Sequence, residues 1–172
     1  MTIDPDTKDW TWVLERACDE CGFDATAFEI GHLPDLIRES SHGWPRALAD
    51  PDACVRPVPH IWSPLEYACH VRDVHLLFDS RVTLMLEQDT PVFENWDQDT
   101  TAVAQEYGDQ DPAVVGVDLV EAAGAAAGRY AAVAGEQWSR RGTRSDGSAF
   151  TVESLGRYHL HDVVHHLFDV RS

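Results

Sequence analysis

Two histidines near the C-terminus have the type and spacing to bind a metal ion. The segment YHLHDVVHHLF, residues 158–168, contains His161 and His165 four positions apart. On a helix, both imidazoles leave the same face one turn apart and can bind a single cation. The spacing alone is more often found in an ordinary polar pair, so it needs support from elsewhere in the chain.

A third candidate ligand lies on an earlier helix. His70 falls between Tyr67, Val71 and Val74, on the apolar stripe of the segment that follows Ser63. Helix bundles bring such stripes together, so we expect His70, His161 and His165 to meet in the core. Three neutral nitrogen ligands with an open fourth position are the usual layout of a catalytic zinc site, and imidazole also suits nickel and iron. The alternative is that each histidine is a core residue satisfied by a hydrogen bond.

The cysteines give a weaker signal. Cys18 and Cys21 form a C-x-x-C pair, but a structural zinc site needs two more ligands and the chain contains no second such pair. We therefore predict plain or redox-sensitive thiols there. His75 and His159 lie off the expected ligand face and are predicted to be solvated. Asp162 and His166 adjoin the ligands, where surface positions or supporting contacts are both open.

The elements that must position these residues are mainly helices. Hydrophobic spacing predicts helices over about 32–49, 63–87, 112–140 and 151–170, separated by loops rich in Pro, Asp and Gly. The clearest start is Ser63-Pro64, where Glu66 can complete a capping box. Gly124 and Gly128 are expected to allow a neighbouring helix to approach closely.

Two connecting segments carry further expectations. Residues 141–150 contain the turn signal Asp146-Gly147, which allows a short hairpin. The loop 89–111 is long enough for a functional role. Its residues 92–107 can either cover the metal end of the bundle or form a packed cover with no catalytic part, and the large indole of Trp96 favours the second. The fold class is therefore all-α, with a four-helix bundle domain over 32–172 and an irregular N-terminal arm over 1–31.

Composition excludes several classes of partner. The 172 residues include 30 acidic and 13 basic side chains, which gives a formal net charge of −17. Nucleic acids and anionic membrane surfaces are poor partners for such a protein, because binding to them relies on Lys and Arg. The N-terminal residues lack the features of a signal peptide, no segment is apolar enough to cross a bilayer, and four cysteines suit a reducing compartment. We expect a cytoplasmic location.

The segment WSPLEYACH, residues 62–70, followed about 90 residues later by HDVVHHL, residues 161–167, resembles the DinB-like (YfiT-like) metal-dependent hydrolases. Mycothiol-dependent maleylpyruvate isomerase is a relative with the same fold. The resemblance covers most of residues 32–170. It implies a four-helix bundle of up-down-down-up order.

The same resemblance implies a divalent metal, with zinc expected first and nickel or iron as alternatives, at His70, His161 and His165. Characterised relatives act on small molecules and use thiols such as mycothiol or bacillithiol, and many form homodimers. The sequence therefore predicts an enzyme that activates such a thiol or water for transfer, isomerisation or hydrolysis of a small-molecule substrate. A non-catalytic metal-binding or structural dimeric bundle is the alternative.

Overall fold

The computed structural model describes residue 3 and residues 9–171, so most of the first eight residues of the predicted arm lie outside the described part of the chain. The α-helices are α1 (Leu33–Ser41), α2 (Trp44–Leu48), α3 (Pro64–Glu87), α4 (Gln98–Ala104), α5 (Pro112–Ala131) and α6 (Val152–Arg171). Short 3-10 helices cover Trp10–Leu14, Ile30–His32, Tyr107–Asp109 and Gly135–Ser139. The strands are β1 (Val92–Phe93), β2 (Arg141–Arg144) and β3 (Ala149–Thr151).

Four helices form the bundle that the sequence predicts. Helices α1 and α3 each pack on both α5 and α6, and the apolar side chains of all four meet in one core. The predicted helix over 32–49 is divided into α1 and α2, and the predicted helix over 112–140 ends at Ala131. No helix in the described residues is long and apolar enough to span a membrane.

The start of α3 is fixed by local chemistry, as predicted. The Ser63 hydroxyl accepts a hydrogen bond from the Glu66 backbone N–H, and the Glu66 carboxylate accepts one from the Ser63 N–H at 2.9 Å. Arg56 also donates to both carboxylate oxygens of Glu66. The capping box and the ion pair together anchor the Pro-rich connector to the end of α3 that leads to His70.

A small three-stranded sheet closes one end of the bundle. Strands β2 and β3 form the expected hairpin, with Gly147 at φ +97° in its turn. Strand β1, which the sequence did not indicate, pairs in parallel with β2 and aligns Val92 with Thr143. The pairing fastens the long loop between α3 and α5 to the segment that leads into α6.

One close helix contact depends on a glycine. A Cβ at Gly156 of α6 would lie 2.5 Å from Leu33 Cδ2 and 3.1 Å from Tyr130 Cε1. By contrast, a Cβ at Gly124 or Gly128 would meet nothing within 4 Å, so the expected close approach at those two glycines is wrong. The tight crossing lies where α6 meets α1 and α5.

We expect Gly156→Ala to lower the free energy of unfolding by about 1 kcal/mol or more, because the added methyl group overpacks the contact with Leu33 and Tyr130. Gly124→Ala is the matched control. It should raise the free energy of unfolding by about 0.5–1 kcal/mol, because alanine favours an exposed helix interior. Urea denaturation of both variants measures the difference, and equal effects would contradict the packing argument.

Glu66 predicts an acid-sensitive component of stability. Burial raises the pKa of Glu66, but hydrogen bonds from Arg56 and Ser63 outweigh it and leave that pKa below its usual 4.5. A carboxyl whose pKa is lowered on folding stabilises the protein above its unfolded pKa and loses this contribution as pH falls through the folded value. Denaturation between about pH 5 and 3 should therefore show a shallower loss of stability for Glu66→Gln than for wild type.

The exposed Glu121 on α5 provides the control for that measurement. Glu121→Gln should follow the wild-type profile. If Glu66→Gln also follows it, the ion pair with Arg56 contributes no acid sensitivity.

Candidate metal centre

Helices α3 and α6 bring three metal-ligating side chains together near the mouth of a cleft. His70 on α3 is fully buried and faces Asp162 and His166 on α6. Asp162 and His166 are four residues apart, so they share one face of α6. One candidate ligand atom from each residue lies within 4.8 Å of the others.

The spacing of these atoms is that of ligands around a cation. The Asp162 Oδ1 atom lies 3.6 Å from His70 Nε2 and 3.7 Å from His166 Nε2. Both separations are too long for good hydrogen bonds. Tetrahedral ligands at zinc–nitrogen and zinc–oxygen distances lie about 3.4 Å apart, close to the separations seen.

Buried polar atoms at this cluster have no protein partner at hydrogen-bond distance. Within residues 3 and 9–171, this holds for both ring nitrogens of His70 and for Oδ1 of Asp162. Leaving such groups unsatisfied costs about 1–3 kcal/mol each. A cation would satisfy the atoms that face one another, so the residues present fit a metal.

Neighbouring side chains hold the ligand rings in place. Asp169 Oδ2 lies 3.0 Å from Nδ1 of His166, which favours the tautomer with Nε2 free to bind. The Trp96 ring stacks on His70 at 5.2 Å with an interplanar angle of 11°, and Trp62 lies on another side at 5.3 Å. The loop 89–111 therefore packs over His70 through Trp96, and a catalytic part for this loop stays a prediction.

The electrostatics also suit a cation. Burial lowers the pKa of His70, so its imidazole is neutral and can donate a lone pair. Burial alone would raise the pKa of Asp162, but the adjacent His70 and His166 outweigh it and hold that pKa well below its usual range. A neutral imidazole and an ionised carboxylate are the protonation states that metal binding requires.

A second cluster lies one residue back along α6. The ligand atoms of Cys18, Cys21, His161 and His165 lie within 4.8 Å of one another. The predicted set of three histidines is thus divided: His161 and His165 lie together with the cysteines, and His70 lies with Asp162 and His166. The joint site of His70, His161 and His165 stays a prediction.

Sequence reasoning did not place Asp162 and His166 in one cluster with His70. These two residues repeat the i, i+4 spacing of His161 and His165 one position later. The sequence pattern therefore does not distinguish one pair from the other as metal ligands. Each residue turns a helix by about 100°, and only the packing of α3 shows which pair faces His70. The Cys18–Cys21 pair is a weak signal in the sequence because the chain has no second C-x-x-C pair, and only the fold brings His161 and His165 beside it.

The expectation that His75 and His159 are solvated is wrong. Both are fully buried, with His75 Nδ1 3.0 Å from His159 Nε2 and the Tyr130 hydroxyl oxygen 3.1 Å from His159 Nδ1. Burial lowers the pKa of His75 to about 4, so this ring is neutral. The chain of two imidazoles and a phenol is a core hydrogen-bond network between α3, α5 and α6.

Both clusters border one cleft of about 970 Å³. Acidic side chains are prominent in its wall, and Arg144 is the one arginine or lysine among the described residues that line it. Aromatic walls come from Trp10, Trp62, Tyr67, Trp96 and Tyr158. The cleft is large enough for a small organic molecule.

Comparisons with known proteins identify the fold. The chain resembles the solved structure of YfiT from Bacillus subtilis, with a TM-score of 0.72 and 18% identity over 84% of this chain and 89% of that one. The chain has the YfiT fold. YfiT is described as "a probable metal-dependent hydrolase with an unusual four-helix bundle topology". No family model matches the sequence, and no curated protein matches it significantly.

The converging ligand atoms on α3 and α6 predict that His70, Asp162 and His166 bind one divalent cation. His70→Ala, Asp162→Asn and His166→Ala should each remove about one equivalent of bound metal per chain, because two ligands hold a cation far more weakly than three. Mass spectrometry of untagged protein after reconstitution with zinc measures this. The exposed His42 provides the control, and His42→Ala should bind as wild type does.

Asp162→Asn and His166→Ala also decide between the two ligand sets. If both variants keep the full metal content, the cluster with His70 is not the binding site. The set His70, His161 and His165 would then be preferred.

Proposed function

We propose that the protein is a metal-dependent enzyme of the DinB-like kind. Its His70, Asp162 and His166 hold a divalent cation at the wall of the cleft. The observation that carries the proposal is the group of three converging donor atoms, 3.6 and 3.7 Å apart, whose buried members lack protein partners in the described residues. The YfiT fold supports it, because the solved relative is described as metal-dependent.

Three protein donors leave the fourth position of a tetrahedral cation open, and two of the three, Asp162 and His166, line the cleft. Two neutral imidazoles and one carboxylate carry a charge of −1, so a divalent cation keeps a net positive charge. At such a place the cation supplies Lewis acidity, which lowers the pKa of water or of a thiol. Zinc suits this donor set, with nickel and iron as alternatives.

Residues around the proposed cation site have different roles. Asp169 orients the His166 ring, and Trp62 and Trp96 shield His70 from bulk water. Arg144 supplies positive charge in the cleft wall and is held by an ion pair of 2.8 Å with Asp146. A substrate group that becomes negative during the reaction can be stabilised by that guanidinium.

The wall of the cleft favours a neutral or cationic small molecule. Apart from Asp162, the lining carboxylates include Glu20, Asp97, Asp99, Asp146 and Asp169. This negative field opposes phosphorylated or other polyanionic substrates. The aromatic walls favour a substrate with a planar or apolar portion.

We propose a low-molecular-weight thiol or water as the nucleophile, for transfer, isomerisation or hydrolysis. Mycothiol and bacillithiol are candidates from the DinB-like resemblance. The alternative function is a non-catalytic metal-binding or structural bundle. The homodimer and the cytoplasmic location expected from the sequence stay predictions.

Turnover assays separate these functions. Zinc-loaded protein is incubated with aromatic esters and amides, and separately with aromatic electrophiles and either mycothiol or bacillithiol. Turnover that requires the thiol indicates transfer or isomerisation, and turnover without it indicates hydrolysis. Asp162→Asn should reduce either rate by about a hundredfold or more, because it removes a metal ligand, while His42→Ala leaves the rate unchanged.

No turnover of either panel by fully metal-loaded protein would contradict the catalytic proposal. The non-catalytic alternative would then be the preferred function. Activity that survives in both Asp162→Asn and His70→Ala would instead show that catalysis does not depend on this centre.

A further inference from the structure

The cluster of two cysteines and two histidines lies at the junction of the N-terminal arm and α6. Cys18 and His161 are each only 2% exposed, and His165 is 6% exposed. The four residues come from two segments separated by about 140 positions in the chain. Their convergence is therefore a product of the fold rather than of local sequence.

The ligand types and spacings are those of a closed zinc site. Cys18 and Cys21 form C-x2-C, and His161 and His165 form H-x3-H, which together give the two-cysteine, two-histidine set of structural zinc sites. The Cys18 Sγ atom lies 3.8 Å from His165 Nδ1. Tetrahedral sulfur and nitrogen ligands around zinc lie about 3.6 Å apart, close to the separation seen.

Two buried ring nitrogens in this cluster have no hydrogen-bond partner among the described residues. Neither Nδ1 nor Nε2 of His161 has a hydrogen-bond partner within the part of the chain that the structure describes. Burial lowers the pKa of His161 to about 4, so its ring is neutral and keeps a free lone pair. Because its ligand atom lies within 4.8 Å of those of Cys18, Cys21 and His165, this ring can bind a cation shared with them.

The local backbone of the arm is shaped around the sulfur atoms. The Cys18 N–H donates to Phe23 O at 2.8 Å, and the Gly22 N–H donates to Cys18 O at 2.9 Å, which closes a tight loop. Gly22 adopts φ +75°, a conformation that favours glycine. The turn holds Cys18 and Cys21 on the same short loop, beside His161 and His165.

Side chains around the cluster complete its enclosure. Glu20 Oε2 lies 3.5 Å from His165 Nε2, where a carboxylate can orient the ring. Trp10 packs over His165 at 4.9 Å and over His161 at 5.5 Å, and Phe23 meets the edge of His161 at 5.5 Å. The cluster is therefore covered by aromatic rings on the arm side.

We propose that Cys18, Cys21, His161 and His165 bind a structural zinc ion that fastens the N-terminal arm to α6. Two thiolates and two neutral imidazoles make the zinc complex neutral, which suits its burial. Four protein ligands fill the coordination shell, so this ion has no open position for substrate. The site is thus distinct in charge and in function from the three-ligand centre at His70.

The first test compares Cys18→Ser/Cys21→Ser with wild type and with Cys54→Ser, which changes an exposed cysteine elsewhere. The double variant should lose about one zinc per chain by mass spectrometry, and Cys54→Ser should lose none. Cobalt-substituted wild type should show thiolate-to-cobalt charge-transfer absorption, which the double variant lacks. Equal metal content and no such absorption in wild type would overturn the proposal.

A ligand-swap variant tests the site without removing a ligand. Cys21→His should keep the zinc and reduce the charge-transfer absorption of the cobalt form to about half, because one of two cobalt–sulfur bonds remains. Loss of the metal in Cys54→Ser, or unchanged absorption in Cys21→His, would contradict the assignment.

Thiol reactivity gives a measurement on the unaltered protein. Zinc should protect Cys18 and Cys21 from iodoacetamide at least tenfold relative to chelator-treated protein, while Cys54 reacts equally in both, because metal-bound thiolates are less accessible. Equal labelling of all the cysteines with and without zinc would overturn the proposal. So would a Cys18–Cys21 disulfide in protein prepared with zinc and reductant.

These readouts do not depend on the function proposed for the other centre. His70→Ala should lose the metal of the three-ligand centre and keep the thiolate absorption. Cys18→Ser/Cys21→Ser should show the reverse. Failure of one proposal is therefore visible while the other stands.

Discussion

The burial of polar side chains on α6 is the constraint on which this structure depends. His159, His161 and His165 are almost completely inaccessible, yet every imidazole carries two nitrogens that need a partner. A buried group without one costs about 1–3 kcal/mol. Helices α3 and α5 and the N-terminal arm are the elements that pack against these imidazoles.

Three elements meet the polar face of α6 in different ways. Helices α3 and α5 meet both ring nitrogens of His159 through His75 and Tyr130, in a hydrogen-bond network inside the core. The same helix α3 brings His70 towards Asp162 without a hydrogen bond, and the arm brings Cys18 towards His165. One helix therefore carries a hydrogen-bonded core histidine and residues of two candidate metal clusters within about two turns.

Features that depend on residues close together in the sequence could be predicted, and features that depend on distant contacts could not. The start of α3 was predictable because Ser63, Pro64 and Glu66 act within one turn of helix. The division of α6 between two clusters was not, since adjacent positions on a helix differ by about 100° and only tertiary packing selects the face. Strand β1 was missed for a similar reason: its two residues are stabilised by pairing with β2, about 50 positions later.

Contacts with α6 that the sequence did not predict hold the N-terminal arm in place. Arg157 of α6 donates to the carbonyl oxygens of Ala25 and Phe28, and its guanidinium lies over the Phe28 ring. Trp10 lies at the other end of the same stretch, against His165. Residues 9–31 are thus held at several points along α6, and the cleft takes part of its wall from them.

The placement of two tryptophans gives the protein its own optical reporters. Trp96 stacks on His70, whereas Trp10 lies against His161 and His165, so each indole is next to a different cluster. Cations that quench indole fluorescence, such as Cu²⁺, would act on each ring over a few ångströms. Because the chain has six tryptophans, subtracting the quenching of Trp10→Phe or of Trp96→Phe from that of the unaltered protein isolates the signal of that one indole, without any attached dye.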